Sequence, residues 1–286
     1  MVEIKELRSI ELSSFTIITT GIAVLFSTIV AIVVSIFIAL AIPGGSGFIA
    51  YLIPTIIVGT FMFTIYNAFC EGLLYNLLAK KLKTVAVAIK DGREIAKIST
   101  TETATMVSII LTIQVVLLYL VSALVLPLLL STIMQTLMFS GQQTIAYSMY
   151  QFLMLISQPV TVGIFIFGTF IISFIFVLLG TYIYNILAKN GRGAVLNLSS
   201  ENGLTSIDSI DKTKFGIVFA IIGGLLCLIF GIIMVFSGAP ITTLISNVLR
   251  GFVGGFFEAY LVAAFYNFLA PKLGKLKIEL IDFKIN

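Results

Sequence analysis

The sequence predicts a polytopic α-helical membrane protein with six transmembrane helices and a small antiparallel ring or sheet of short strands on its cytoplasmic side. Three observations predict it. Of the 286 residues, 59% are hydrophobic and only 10% charged, and the mean hydropathy of +1.15 lies far outside the range of water-soluble domains. Charge is absent from residues 12–70, 103–188 and 215–249, and each interval exceeds the roughly 20 apolar residues that one spanning helix needs. Finally, one phrase occurs three times, as "CEGLLYNLLAKKLKTVAVAI", "GTYIYNILAKNGRGAVLNL" and "AAFYNFLAPKLGKLKIEL".

Aligned on the Tyr-Asn pair, the copies run without a gap, so Tyr75, Tyr184 and Tyr266 coincide, as do Asn76, Asn185 and Asn267. An alternating stretch follows in each: Val85, Val87 and Ile89 match Ala194, Leu196 and Leu198, and then Leu276, Ile278 and Leu280. That period of two is the mark of a strand. Each copy also opens alike, with Leu7 and Ile10 matching Ile95 and Ile98, then Ile207 and Ile210. The unit is therefore strand, helix, helix, strand, and the repeats span 1–91, 92–202 and 203–286.

Asp91-Gly92 and Asn202-Gly203 fall between units and tolerate the positive φ of tight hairpins, so the closing strand of one unit should pair with the opening strand of the next. The first strand, near 2–7, and the last, near 275–281, are left as edges. Pairing them closes a six-stranded ring of pseudo-threefold symmetry and removes both edges.

The same frame places helices near 14–42, 54–79, 105–130, 159–188, 215–236 and 250–270. Ile241, Leu244, Ile245, Val248 and Leu249 form an apolar stripe at helical spacing, and Ile145, Met149, Phe152, Leu153 and Ile156 form another. Both predict short helices flat on the outer surface or dipping into it. Pro43-Gly44-Gly45 makes a shorter outer turn in the first unit.

Of the 17 Lys and Arg, all but Arg250 fall in clusters at 5–8, 80–97, 189–214 and 272–284. Such clusters mark the cytoplasmic side, which puts both termini in the cytoplasm and the chain in the cell membrane. The opening "MVEIKELRSIELSS" is too charged for a signal peptide, so the first helix is expected to stay. The sequence pI near 9.0 thus reports topology. The bilayer is the expected partner, with a membrane-protein partner or self-association left open. Nucleic acid is not expected, because no basic cluster is interleaved with stacking aromatics.

Chemistry is bounded as sharply. There is no His and no Trp, and Cys70 and Cys227 stand singly in apolar spans, so the usual metal sites, imidazole catalysis and a disulfide framework lack their side chains. No cofactor is expected, and an enzyme is the least favoured class.

The opening and closing phrases resemble a family of small actinobacterial membrane proteins of unknown function. The likeness rests on Ile10-Glu11 and Ile210-Asp211 at the helix entry, and on Tyr266, Asn267 and "GKLKIEL" at the exit. It implies a strand entering a first helix and a second helix leaving through Tyr-Asn into a strand. This chain differs in carrying three units and in lacking the family's Gly-Gly pair before the closing strand.

Steps of four back from each Asn meet small or hydroxylated residues: Gly72, Ala68, Thr64 and Thr60; Thr181, Val177, Ser173 and Thr169; Ala263, Ala259, Gly255 and Gly251. Two readings stand. The second helices pack closely about the threefold axis, with Asn76, Asn185 and Asn267 as a ring joining their ends; or Thr64, Ser173, Thr181 and the asparagines line a narrow polar path. Packing is favoured for most of the stripe.

Charges inside the spans remain. Arg250 begins its predicted helix and can snorkel outward. Glu71 and Glu258 lie about 7 and 13 Å from the Asn of their own helices. Asn67 aligns with Glu258 and is one turn from Glu71, which suggests a cluster of Asn67, Glu71 and Glu258. A membrane-embedded carboxyl without a basic neighbour takes up a proton, holds a cation, or donates as a neutral group to an adjacent helix. Tyr75, Tyr184 and Tyr266 read as aromatic anchors at the headgroups. A channel or carrier for a small cation or proton is the first expectation, and a non-catalytic assembly subunit the second.

Overall fold

Where the apolar period changes from two to about 3.6, the chain passes from strand to helix. The computed structural model describes residues 2–41, 46–201 and 203–283. In it β1 (Val2–Ile10) runs into α1 (Leu12–Ala41), and α2 (Ser46–Leu78) returns to β2 (Val85–Lys90). Next come β3 (Glu94–Ile98), α3 (Thr100–Phe139), α4 (Gln143–Ser157), α5 (Pro159–Lys189) and β4 (Leu196–Glu201). The chain ends with β5 (Leu204–Ile210), α6 (Lys212–Phe236), α7 (Ile241–Leu273) and β6 (Lys277–Asp282).

All of these helices except α4 are long and apolar enough to cross a bilayer, six in all among the described residues. Even α6, with 25 residues, spans about 37 Å against a hydrocarbon core of about 30 Å. Phe37, Leu128 and Phe167 are exposed to 67%, 72% and 71%, which suits a surface bathed in lipid rather than water. The chain is an integral, multi-pass membrane protein.

The strands form one antiparallel sheet in the order β3-β2-β1-β6-β5-β4. β2 pairs with β3 and β4 with β5, as the hairpin signals require. Asp91 and Gly92 take φ of 50° and 67°, left-handed values that Asp and Gly adopt readily. Asn202 and the Pro43-Gly44-Gly45 turn lie outside the described residues. β1 and β6 are neighbours, Leu7 opposite Leu280, with a bulge between Leu7 and Ser9.

The last two edges, β3 and β4, meet at an antiparallel bridge between Glu94 and Val195. There the Ile95 amide donates to the Ala194 carbonyl at 3.0 Å, and that of Leu196 to Arg93 at 2.8 Å. The sheet closes into a ring whose narrowest seam is this bridge. Only glycine fits beside it at position 193, because a Cβ there would lie 2.7 Å from the Ile95 carbonyl oxygen.

Packing divides the chain into two units, Met1–Thr103 with Leu178–Asn286, and Ala104–Val177. This division cuts across the boundaries at 91 and 202 expected from the phrases. The first unit contains every strand with α1, α2, α6 and α7. Two clusters of its buried residues lie where helices meet the ring. Ile18, Tyr266, Leu269 and Ala270 pack on Ile207, while Ile183, Tyr184, Val218 and Ile222 pack on Ala194. The second unit holds most of α3, all of α4 and the start of α5; within it a groove of about 190 Å³ lies between Val115 and Leu118 of α3 and Val162 and Phe165 of α5.

Two expectations need correction. The stripe at Ile145 to Leu153 is a separate helix, α4, but Ile241 to Leu249 is the opening of α7 and no separate helix. Gly238 at φ 98° and Pro240 at the N-cap set the start, and nothing between Leu249 and Gly251 breaks the hydrogen-bond ladder. Arg250 therefore lies well inside α7, where its side chain is exposed.

Candidate functional site

Each Asn of the three phrases ends up at the junction of helix and strand. The Asn76 carboxamide accepts from the Ile10 amide and donates to the Ile10 carbonyl, both at 2.8 Å. Asn185 holds Ile98 in the same way, again at 2.8 Å twice, and donates also to Thr100 Oγ1 at 3.2 Å. Asn267 holds Ile210 with two bonds of 2.8 Å. A carboxamide carries a donor and an acceptor side by side, as a peptide does, so it extends the ladder by one rung where the strand turns into a helix. The asparagines thus bond the strands instead of forming a ring with one another.

The preceding tyrosines work beside them, which corrects the reading of them as headgroup anchors. Tyr75 donates to Leu7 O at 2.6 Å, Tyr184 to Ile95 O at 2.7 Å, and Tyr266 to Ile207 O. Each also accepts an amide from the closing strand or the residue that leads into it: Val85, Ala194 at 3.0 Å, and Leu276 at 3.2 Å. All three are buried, at 6%, 5% and 3% exposure. One hydroxyl so ties an opening strand to a closing one. The signal was in the sequence, since Tyr stands before Asn in every copy.

The entry residues are caps. Asp211 accepts from the Lys214 amide at 3.0 Å, and Glu11 from the Ser14 amide at 3.2 Å. On the ring, Lys275 at 2.8 Å and Ser199 at 2.7 Å hold the Asp208 carboxyl below the usual carboxylate range, the lysine contributing most.

In α2 and α7 the small-residue stripes face the partner helix of their own hairpin. A Cβ at Gly72 would meet Leu12 and Phe15 of α1 at 2.9 and 3.4 Å. At Gly251 it would lie 2.6 Å from the Gly223 carbonyl oxygen and 2.8 Å from Cys227 Sγ, and at Gly255 2.7 Å from the Phe219 carbonyl oxygen. α6 and α7 are therefore in backbone contact. Thr64 is half-buried and Thr181 buried. Ser173 spends its hydroxyl on the Thr169 carbonyl of its own helix at 2.5 Å.

The expected cluster of Asn67, Glu71 and Glu258 divides. Asn67 is half-buried and donates to the Phe63 carbonyl at 2.8 Å. Glu71 is half-buried on α2. Glu258 is exposed and lines an open groove of about 600 Å³ between α1, α2 and α7, with Thr19, Ser27, Phe26, Thr60 and Val262. Neither Asn67 nor Glu71 lines it. Among the described residues no Lys or Arg forms an ion pair with Glu258. Nor, among them, does any group of three His, Cys, Asp or Glu lie close enough to share a metal ion.

Sequence reasoning followed the second helices and so missed the α1 side of this groove. Thr19, Ala23 and Ser27 recur every fourth residue there, a spacing that puts them on one face. A neighbouring groove of about 490 Å³, lined by Thr16, Thr20, Gly21, Phe61 and Leu269, continues toward the ring. The Thr16 and Thr20 hydroxyls are themselves buried in the packing. Comparison with protein families, with characterised proteins and with solved structures finds no match to this chain.

Proposed function

We propose that this chain is a membrane permeation protein, a channel or carrier for a small cation or proton, with Glu258 as the group that takes up the ion. The three strand-helix-helix-strand units are read as internal repeats around a pseudo-threefold strand ring, related to the small actinobacterial membrane proteins whose phrases they resemble. The ring and both termini lie on the cytoplasmic side of the cell membrane. Support for repeats comes from the recurring Tyr and Asn bonds, and support for sidedness from the basic clusters that follow α2, α5 and α7. The role is non-catalytic.

The observation that carries this reading is Glu258. A carboxyl group at this depth is costly to embed in lipid, and residues of this kind line pathways or relay protons. It stands at an open groove beside the hydroxyl side chains of Thr19 and Thr60, without a basic partner among the described residues. Glu71, by contrast, is half-buried on α2 and does not line that groove.

A second reading, a structural or assembly subunit, is favoured by the backbone contact of α6 with α7 and by the clamped ring, both of which make a rigid frame. Flux separates the two. Purified protein in proteoliposomes should pass H⁺, Na⁺ or K⁺ down an imposed gradient. Glu258→Gln should abolish that flux while folded yield and melting temperature stay unchanged. Absence of flux for all three ions leaves the assembly reading.

A further inference from the structure

We propose that the groove beside Glu258 binds a lipophilic organic monocation, an amphiphilic amine or onium compound that reaches the site from the bilayer. This rests on Glu258 as the working group of the proposed function and names a ligand class for it. The groove is mostly apolar: Ile22, Ala23, Phe26, Val30, Ile56 and Val262 supply most of its wall. Its volume of about 600 Å³ falls within the range of about 300–1,000 Å³ typical of sites for drug-sized molecules.

Charge complementarity selects the occupant. Among the described residues Glu258 is the only ionisable side chain on the wall, so a neutral ligand would leave it unpaired and an anion would be repelled. A divalent metal ion held by the protein takes six or more oxygens. Here the wall provides one carboxylate and the hydroxyls of Thr19, Thr60 and Ser27, and that of Ser27 already donates to the Val24 carbonyl at 3.0 Å. A bulky organic cation needs fewer oxygens, because its charge is dispersed and weakly hydrated, and its apolar body matches the wall. The Phe26 ring adds a surface to which a cation is attracted.

Access is consistent with that chemistry. Phe26 and Val30 at the groove are 37% and 41% exposed, both on α1, a helix long and apolar enough to cross the bilayer. A molecule dissolved in the hydrocarbon core can therefore enter sideways without crossing water.

The test uses tetraphenylphosphonium, a permanent lipophilic cation, and the full chain in nanodiscs. Saturable binding is expected. Glu258→Gln should lower affinity about tenfold or more, as loss of a desolvated charge partner does, and Glu71→Gln should leave it unchanged. Ala23→Phe keeps the carboxyl but fills the groove, so it too should weaken binding, which covers the case of a poorly folded Gln variant. Non-saturable uptake, equal binding of neutral triphenylphosphine oxide, or affinity unaffected by both Glu258→Gln and Ala23→Phe would overturn the inference. Glu258-dependent ion flux without phosphonium binding removes this inference alone. Phosphonium binding that depends on Glu258, without ion flux, removes the transport reading and keeps the site.

Discussion

At the residue scale, a side chain can be indispensable without touching a ligand. Asn267 satisfies both the amide and the carbonyl of Ile210 at 2.8 Å, at a strand end where the ladder supplies neither partner. Asn267→Asp keeps the acceptor, loses the donor, and sets a carboxylate oxygen against the Ile210 carbonyl. It should destabilise the protein by about 1–3 kcal/mol, the cost of leaving a buried backbone group unsatisfied. Thermal unfolding in detergent checks this, and Gln should not rescue it, because its extra methylene moves the carboxamide off the rung. The asparagines were legible as special because they recur in register. What they bond to was not, since a repeat identifies equivalent positions without saying which side of the helix meets the strand. The tyrosines were misread for a related reason: an aromatic ring with a polar tip at a helix end suits a headgroup and a strand junction equally well. Burial, which no single sequence displays, decides between them.

At the element scale, strand periodicity, hairpin turns and the six apolar spans all follow from hydropathy and glycine placement, and their order matches the sequence reading. The misses have local causes. A helix predicted to begin at Arg250 begins at Ile241, because a polar residue does not break a helix where the stretch from Ile241 to Arg250 holds no Pro and no left-handed residue. The stripes were expected to meet at an axis, yet glycine spacing says only that something approaches closely, and in α7 that neighbour is α6. Gly251→Ala should therefore destabilise the hairpin by about 1–3 kcal/mol, since the added methyl meets backbone that cannot yield. At Gly254 an added Cβ would have nothing within 4 Å of it. Gly254→Ala should instead be neutral or stabilising by up to about 1 kcal/mol through helix propensity. Comparing the two melting temperatures checks the packing direction, and equal behaviour of the two variants would contradict it.

At the scale of the whole molecule, an apolar chain gains its membrane location from composition, and its ring from strands that would otherwise present open edges. The ring is held by ladders, three tyrosine hydroxyls and three carboxamides, all on the side where the basic clusters lie. Glu258 stands apart from that frame, on a groove whose α1 wall no repeat phrase marks. Frame and proposed ion-binding group are thus separate, and chemical modification can address the second alone. Proteoliposomes are treated with a hydrophobic carbodiimide, which attacks carboxyl groups in apolar surroundings, and label on the Glu258 peptide is followed together with proton or cation flux in the same samples. Glu258 should be modified, an excess of the transported cation should protect it, and flux should decline in proportion to the label. Full modification of Glu258 with flux unchanged, or flux lost while Glu258 stays unmodified, would show that this carboxyl group is not the one that handles the ion.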